Sequence, residues 1–312
     1  MLLERESMRS ISILGDSIST FDGCNPRGYR VFYEAERCVQ TGVLSPADTW
    51  WSQAIVRLDG QLLANSSFSG SLVEGAGFPA GSSQERVDAL SENGVQPDVV
   101  IVFMGINDYG WGGAAAQAAG RGNALPTTID LDAIEPHTPG CASSDATDNF
   151  RAAYNLLLQR VRTAHPQADV WCCTLCPGRV AGSTQPTFAW NLRGAALRGY
   201  NNAIRAAALA HGCGVADLEA YGMDYEAVDG THPTARGMRQ LAGMIASCIE
   251  GAEPDARLLP ADLFDVSLRS ETLCPNTACV GCEHARDTGS SWSLVCERGL
   301  RTKLTAHPNE QR

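Results

Sequence analysis

The residues of this chain that are able to do chemistry together are one serine, one histidine and a few amide donors, far apart in sequence. Ser17 follows the apolar run Ile11-Ser12-Ile13-Leu14 through Gly15-Asp16. A serine hydroxyl is a weak nucleophile until a base takes its proton, and the base needs a partner to fix its tautomer. Asp229-Gly230-Thr231-His232 offers both. His232 would act as base and then as acid to the leaving group, and Asp229 would reach the other imidazole nitrogen. Attack on an acyl carbonyl creates an oxyanion, and each donor aimed at it contributes on the order of 3 kcal/mol. Candidates are the side-chain amide of Asn107, in Gly105-Ile106-Asn107-Asp108, and the backbone N–H groups of Gly70 and Ser17. The implied chemistry is acyl transfer. Asp16 is too close to Ser17 to orient its base, so Asp16 and Asp108 are read as residues that pin backbone turns. Asn65 is read as a turn residue, with support of Gly70 as the alternative.

These groups must be delivered by elements, and the pattern shows which. Ile11–Leu14, Gln61–Asn65, Val99–Met104, Ala168–Leu175 and Cys213–Leu218 read as strands. The third is apolar on both faces, as expected of a central parallel strand. Helices are expected from Ser45-Pro46-Ala47-Asp48 to Gly60, with Trp50, Trp51, Ile55 and Leu58 inward. Others are expected over 83–90, from the Thr147-Asp148 cap to His165, over 186–191, over 195–210, and from Thr234 to Ile249. Alternating strands and helices predict a parallel sheet covered on both faces, with the site at the carboxyl ends of its strands. The loop 19–42, with Tyr29, Arg30, Phe32 and Tyr33, either lines the pocket mouth or packs its own aromatics. Residues 110–147, rich in Gly, Ala, Pro and Thr, read as a long insertion near the site. Tyr109 and Trp111 stand at its start as pocket candidates.

Bulk properties narrow the function. The 312 residues are 44% hydrophobic, enough for a real core, and carry a net charge of -11. That balance argues against a nucleic-acid or anionic-membrane surface. No apolar run approaches the roughly 20 residues of a membrane helix. Met1–Met8 mixes acids with bases and does not resemble a signal peptide, so a cytoplasmic location is expected. Twelve cysteines in such a chain suggest reduced thiols or a metal site. The C-x-x-C at Cys173–Cys176 lies in a strand pattern and reads as buried, inert thiols. Gly251–Asp255 reads as a linker, dividing a domain over 1–252 from a tail over 253–312. The tail holds Cys274-x4-Cys279-x2-Cys282-x13-Cys296, with His284 as a substitute ligand. That set suits a tetrahedral structural zinc site better than an iron–sulfur cluster.

Gly15-Asp16-Ser17-Ile18, Gly70, Gly105-x-Asn107-Asp108 and Asp229-x-x-His232 together resemble the blocks of the SGNH, or GDSL-like, serine hydrolase family. Ile18 stands where that family usually has leucine. One block alone would be weak; all four, in order and at strand ends or loops, are specific. The resemblance covers residues 9 to 250. It implies a flavodoxin-like three-layer α/β/α sandwich and hydrolysis of carboxylic esters without a metal or organic cofactor. The family spans acetyl-sugar esterases, lysophospholipases and thioesterases, so it does not name the substrate. The expected reaction is hydrolysis of short acyl or acetyl esters through an acyl-enzyme on Ser17, with a small acyl ester as the only expected partner. Lysophospholipase, thioesterase or acyltransferase activity with the same triad are alternatives. A chain that recruits a partner through its Cys-rich tail is another, and oligomeric state is left open.

Overall fold

The computed structural model describes residues 8–118, 144–183, 191–192, 195–260 and 263–264, and two short strands beyond them. Along the chain come β1 (Arg9–Gly15), α1 (Ala35–Thr41), α2 (Trp50–Arg57), β2 (Gly60–Ser67), α3 (Gln84–Asp88), β3 (Val99–Phe103), α4 (Ile106–Trp111) and α5 (Ala114–Ala118). Then follow α6 (Ser144–Ala164), β4 (Asp169–Cys173), β5 (Gly178–Val180), β6 (Asn191–Leu192), β7 (Ala195–Ala196) and α7 (Leu197–Ala210). The last are β8 (Gly214–Ala216), β9 (Tyr225–Ala227), α8 (Ala235–Ile249) and an antiparallel pair, β10 (Trp292–Cys296) and β11 (Thr302–Ala306).

Five strands form one parallel sheet in the order β2-β1-β3-β4-β8. The chain winds outward from β1 to β2, returns past β1 to β3, and continues to the other edge. Helices enclose the sheet as two groups, α2 with α8, and α6 with α3 and α7. This is a flavodoxin-like α/β/α sandwich, as the sequence predicts. Its winding direction reverses between β1 and β3, where open α/β sheets form a crevice at the strands' carboxyl ends. The cause lies in the side chains. Every residue of β3 is buried, as are Ile11, Ile13 and Leu14 of β1. Trp50, Trp51, Ile55 and Leu58 are buried along α2, and Met238, Leu241 and Ile245 along α8.

Several boundaries differ from the sequence expectation. Ser45-Pro46-Ala47-Asp48 forms a separate 3-10 turn with reciprocal Ser45–Asp48 capping, and α2 starts only after Thr49, whose hydroxyl accepts from Ser52 N. α6 starts at Ser144, before the expected Thr147-Asp148 cap. The helix expected over 186–191 is not found at its described end. Asn191–Leu192 pairs antiparallel with Ala195–Ala196, and α7 begins at Leu197. Residues 186–190 lie outside the described residues. The 110–147 insertion is helical at both described ends, in α4, α5 and the start of α6, and 119–143 lie outside the described residues.

Past Gly251 the chain stays on the body. Leu259 is buried, and the Leu263 carbonyl accepts from Arg236 and Gln240 of α8. Of the tail cysteines, Cys274, Cys279 and Cys282 lie outside the described residues, with His284, and Cys296 is described only as the end of β10. Among the described residues no group of three His, Cys, Asp or Glu side chains is placed to hold a metal ion. No described helix is long and apolar enough to cross a membrane. Cys172, Cys173 and Cys176 are buried free thiols, and burial pushes the Cys173 and Cys176 thiols up, away from the reactive thiolate.

Candidate active site

The site begins where β1 stops. Ser17 opens a 3-10 turn, Ser17–Ser19, in which the Asp16 carboxylate accepts from Ile18 N at 3.1 Å. The turn is held from two sides. Trp51 Nε1 and Asn65 Nδ2 both donate to the Ser19 carbonyl, at 3.0 and 2.9 Å, and Trp50 Nε1 donates to Ser19 Oγ at 3.2 Å. Asn65, read from sequence as a turn residue, is therefore a buried strand residue that braces the serine turn. Gly15 does not adopt a positive φ, and a Cβ there would lie 2.4 Å from Ser19 Oγ and 2.8 Å from Ser67 Oγ. Glycine is required at 15 by crowding, not by backbone geometry.

The histidine arrives on the loop between β9 and α8. Its ends are pinned by Val228 N donating to the His232 carbonyl at 3.0 Å and by Tyr225 OH donating to the Thr231 carbonyl at 2.7 Å. Tyr33, from the loop after Ser17, donates to the Pro233 carbonyl at 2.9 Å. So held, His232 places Nε2 2.9 Å from Ser17 Oγ and Nδ1 2.6 Å from Asp229 Oδ2. Asp229 Oδ1 accepts the backbone N–H groups of Thr231 and His232 at 3.0 and 2.8 Å. Burial opposes ionisation of Asp229, but its bond to the His232 ring, the charge of that ring and the two N–H donors outweigh burial and hold the carboxyl below its usual range. An ionised carboxylate only accepts, so Nδ1 carries the hydrogen and Nε2 is free to accept the Ser17 proton. The ring of Phe32 stacks on the imidazole with centroids 3.5 Å apart and planes 4° from parallel.

The remaining blocks meet beside the same strand end. Phe68 N donates to the Gly15 carbonyl at 3.2 Å, which fixes the turn Phe68–Ser71 to the end of β1. Asn107, in the first turn of α4, donates one amide hydrogen to the Ser71 carbonyl at 3.0 Å and keeps its second. Gly105 gives α4 its entry angle with φ of 126°, and Gly70 has φ of 80°. The N–H groups of Ser17 and Gly70 donate to no backbone carbonyl among the described residues. Asp108 accepts from Val73 and Glu74 N at 2.9 and 3.1 Å, so it pins backbone as expected. Burial pushes both Asp16 and Asp108 up to about 7, against the N–H groups that each accepts.

Tyr109 corrects the sequence expectation. It is wholly buried with its ring edge-on to Tyr200 at 5.4 Å, so it belongs to the core and does not line a pocket. Trp111 is half-buried. Two residues escaped the sequence reading. Arg86 looks like a polar residue of a surface helix, yet it is wholly buried and donates to the carbonyls of Gly15, Ser66 and Pro79 and to Ser71 Oγ. It ties the ends of β1 and β2 to the 68–71 turn. Burial lowers its pKa to about 10, opposed by the charges of Tyr29 and Asp16. Phe32 was visible only as one aromatic of a loop.

A family model for GDSL-like lipase/acylhydrolase matches residues 9–176, more than half of the 312. The match includes Ser17, Gly70 and Asn107 and stops short of Asp229 and His232. Among solved structures, the fold is similar to that of a protein from Bacteroides ovatus assigned as a GDSL-like lipase. That likeness has 23% identity and a TM-score of 0.53, over 79% of this chain and 100% of that one. A protein from Bacteroides uniformis with the same assignment is similar at 21% identity and TM-score 0.53, over 79% and 97% of the two chains. No curated protein matches the chain.

Proposed function

This chain belongs to the GDSL-like lipase/acylhydrolase family and is a carboxylic ester hydrolase, and on that premise we propose that Ser17 is its nucleophile, His232 its general base and acid, and Asp229 the residue that orients the imidazole. The single observation behind this reading is the unbroken line Ser17 Oγ, His232 Nε2, His232 Nδ1, Asp229 Oδ2, with contacts of 2.9 and 2.6 Å. As Ser17 Oγ bonds to the ester carbon, its proton passes to Nε2. The carbonyl π pair moves onto oxygen, where the free Asn107 N–H and the N–H groups of Gly70 and Ser17 receive it. When the carbonyl re-forms, the ester C–O bond breaks and Nε2 returns the proton to the leaving alkoxide. Water then repeats the sequence on the acyl-serine, releasing the acid and restoring Ser17. Asp229 stays ionised and offsets the charge of the imidazolium. In the first half the moving proton comes from Ser17 and in the second from the water, and both pass through His232 Nε2.

We further assign a short acyl group. Ser17 is only 4% exposed, and the stacked Phe32–His232 pair stands directly beside it. Such enclosure favours acetyl over long chains. The test is a series of p-nitrophenyl acetate, butyrate and octanoate. The acetate or butyrate is expected to show the highest kcat/KM, and a preference for octanoate would overturn the assignment.

A further inference from the structure

Given Ser17 as nucleophile and a short acyl group, we propose that Arg30 and the rings of Tyr29, Phe68 and Phe78 form a subsite for an anionic leaving alcohol, one that carries a carboxylate or phosphate. The site lies on the rim of the turn that supplies the Gly70 N–H. Ser69 N donates to the Arg30 carbonyl at 2.8 Å, so the backbone of Arg30 is fixed to that turn. Its guanidinium Nη1 stands 3.9 Å from where a Cβ on Gly70 would lie, and its Cζ is 6.0 Å from the centre of the Phe68 ring. The three rings meet one another with centroids 5.3 to 5.7 Å apart. Phe78 is 46% exposed, which leaves an apolar face open to solvent.

Ion pairs with the chain's own acids engage several arginines of the molecule. The chain carries 35 acids against 24 bases. Arg57 pairs with Glu250, Arg179 with Asp224, and Arg205 with both Asp217 and Glu219. Arg30 joins no ion pair among the described residues. It is held instead over an aromatic face, which keeps its planar fork available for two-point binding of a carboxylate or phosphate. An unpaired cation beside the oxyanion turn of a strongly acidic protein attracts anions that the rest of its surface repels. An acetyl group cannot carry that charge, so the charge must sit on the alcohol half. The body of that alcohol would rest on the Phe68 and Phe78 rings.

Two acetates of equal shape test this: 4-acetoxybenzoate, which is anionic at neutral pH, and 4-acetoxybenzamide, which is neutral. The readout is the ratio of their kcat/KM values. The wild type is expected to favour the benzoate, and Arg30→Gln to lower the ratio by roughly tenfold, with Arg30→Lys between them. Raising the salt concentration should shrink the wild-type ratio toward that of the variant. An unchanged ratio in Arg30→Gln overturns the proposal. So does an equal loss on both substrates, which would make Arg30 a donor to the oxyanion itself. Ser17→Ala, run alongside, separates this from the catalytic reading: turnover of both esters that survives Ser17→Ala counts against Ser17, whereas Ser17-dependent turnover with no charge preference counts against Arg30 alone.

Discussion

At the scale of single residues, the imidazole of His232 is constrained at both ring nitrogens and on one face. Ser17 and Asp229 fix its edge, and Phe32 fixes its plane. As the ring takes the Ser17 proton it becomes a cation lying on a π face, an arrangement that stabilises the charge by about 0.5 to 2 kcal/mol. Arg37 lies 5.4 Å from the Phe32 ring centre and engages the same π electrons. Phe32→Leu is therefore expected to lower kcat by roughly tenfold with little change in KM, and Phe32→Tyr to restore it. Steady-state kinetics on p-nitrophenyl acetate decide, and a kcat unaffected by Phe32→Leu contradicts this role. The convergence of Ser17, Asp229 and His232 was legible in the sequence, because acyl transfer would need those side-chain types together and the Asp-x-x-His spacing keeps two of them on one loop. Phe32 was not legible as a partner of His232, because 200 residues separate them and nothing local marks the contact. Arg86 was hidden more deeply: its neighbours Gln84, Glu85 and Asp88 make it look like a solvated helix residue.

At the scale of elements, everything depends on how β1 hands over to the 3-10 turn. Gly15 is the last residue of β1, and its missing side chain makes room for Ser19 and Ser67. Gly15→Ala would place a methyl within 2.4 Å of Ser19 Oγ, in the same short turn as Ser17. Relief requires moving either the turn or the end of β2. The expected result is a stability loss of about 1 to 3 kcal/mol and a fall in kcat larger than that loss alone explains. Thermal unfolding together with kcat tests this, and a variant with wild-type values in both would contradict it. Elements with a strong periodic pattern, such as β3 and α8, matched their expected limits within a residue or two. The misread ones were short. The capping signal at Ser45 belongs to a single turn, and Asn191, the one described residue of the helix expected over 186–191, pairs as a strand. In such short pieces tertiary packing outweighs local propensity.

At the scale of the whole molecule, the strand order determines the site. β1 brings Ser17, β2 leads into Gly70 and β3 leads into Asn107, all at the carboxyl ends of three adjacent strands. His232 is delivered from the far end of the chain by a loop tied to Tyr33, which lies just after the serine turn. Strand alternation and apolar runs made this sheet legible. The closure of the histidine loop was not, because it rests on tyrosine hydroxyls reaching backbone carbonyls across the fold. The most direct measurement of the central claim is the site of covalent labelling by a fluorophosphonate, read by peptide mass spectrometry. One adduct on Ser17 is expected, at a rate that collapses in His232→Ala. A principal adduct on any other residue, or labelling of Ser17 at an unchanged rate without His232, would contradict the account.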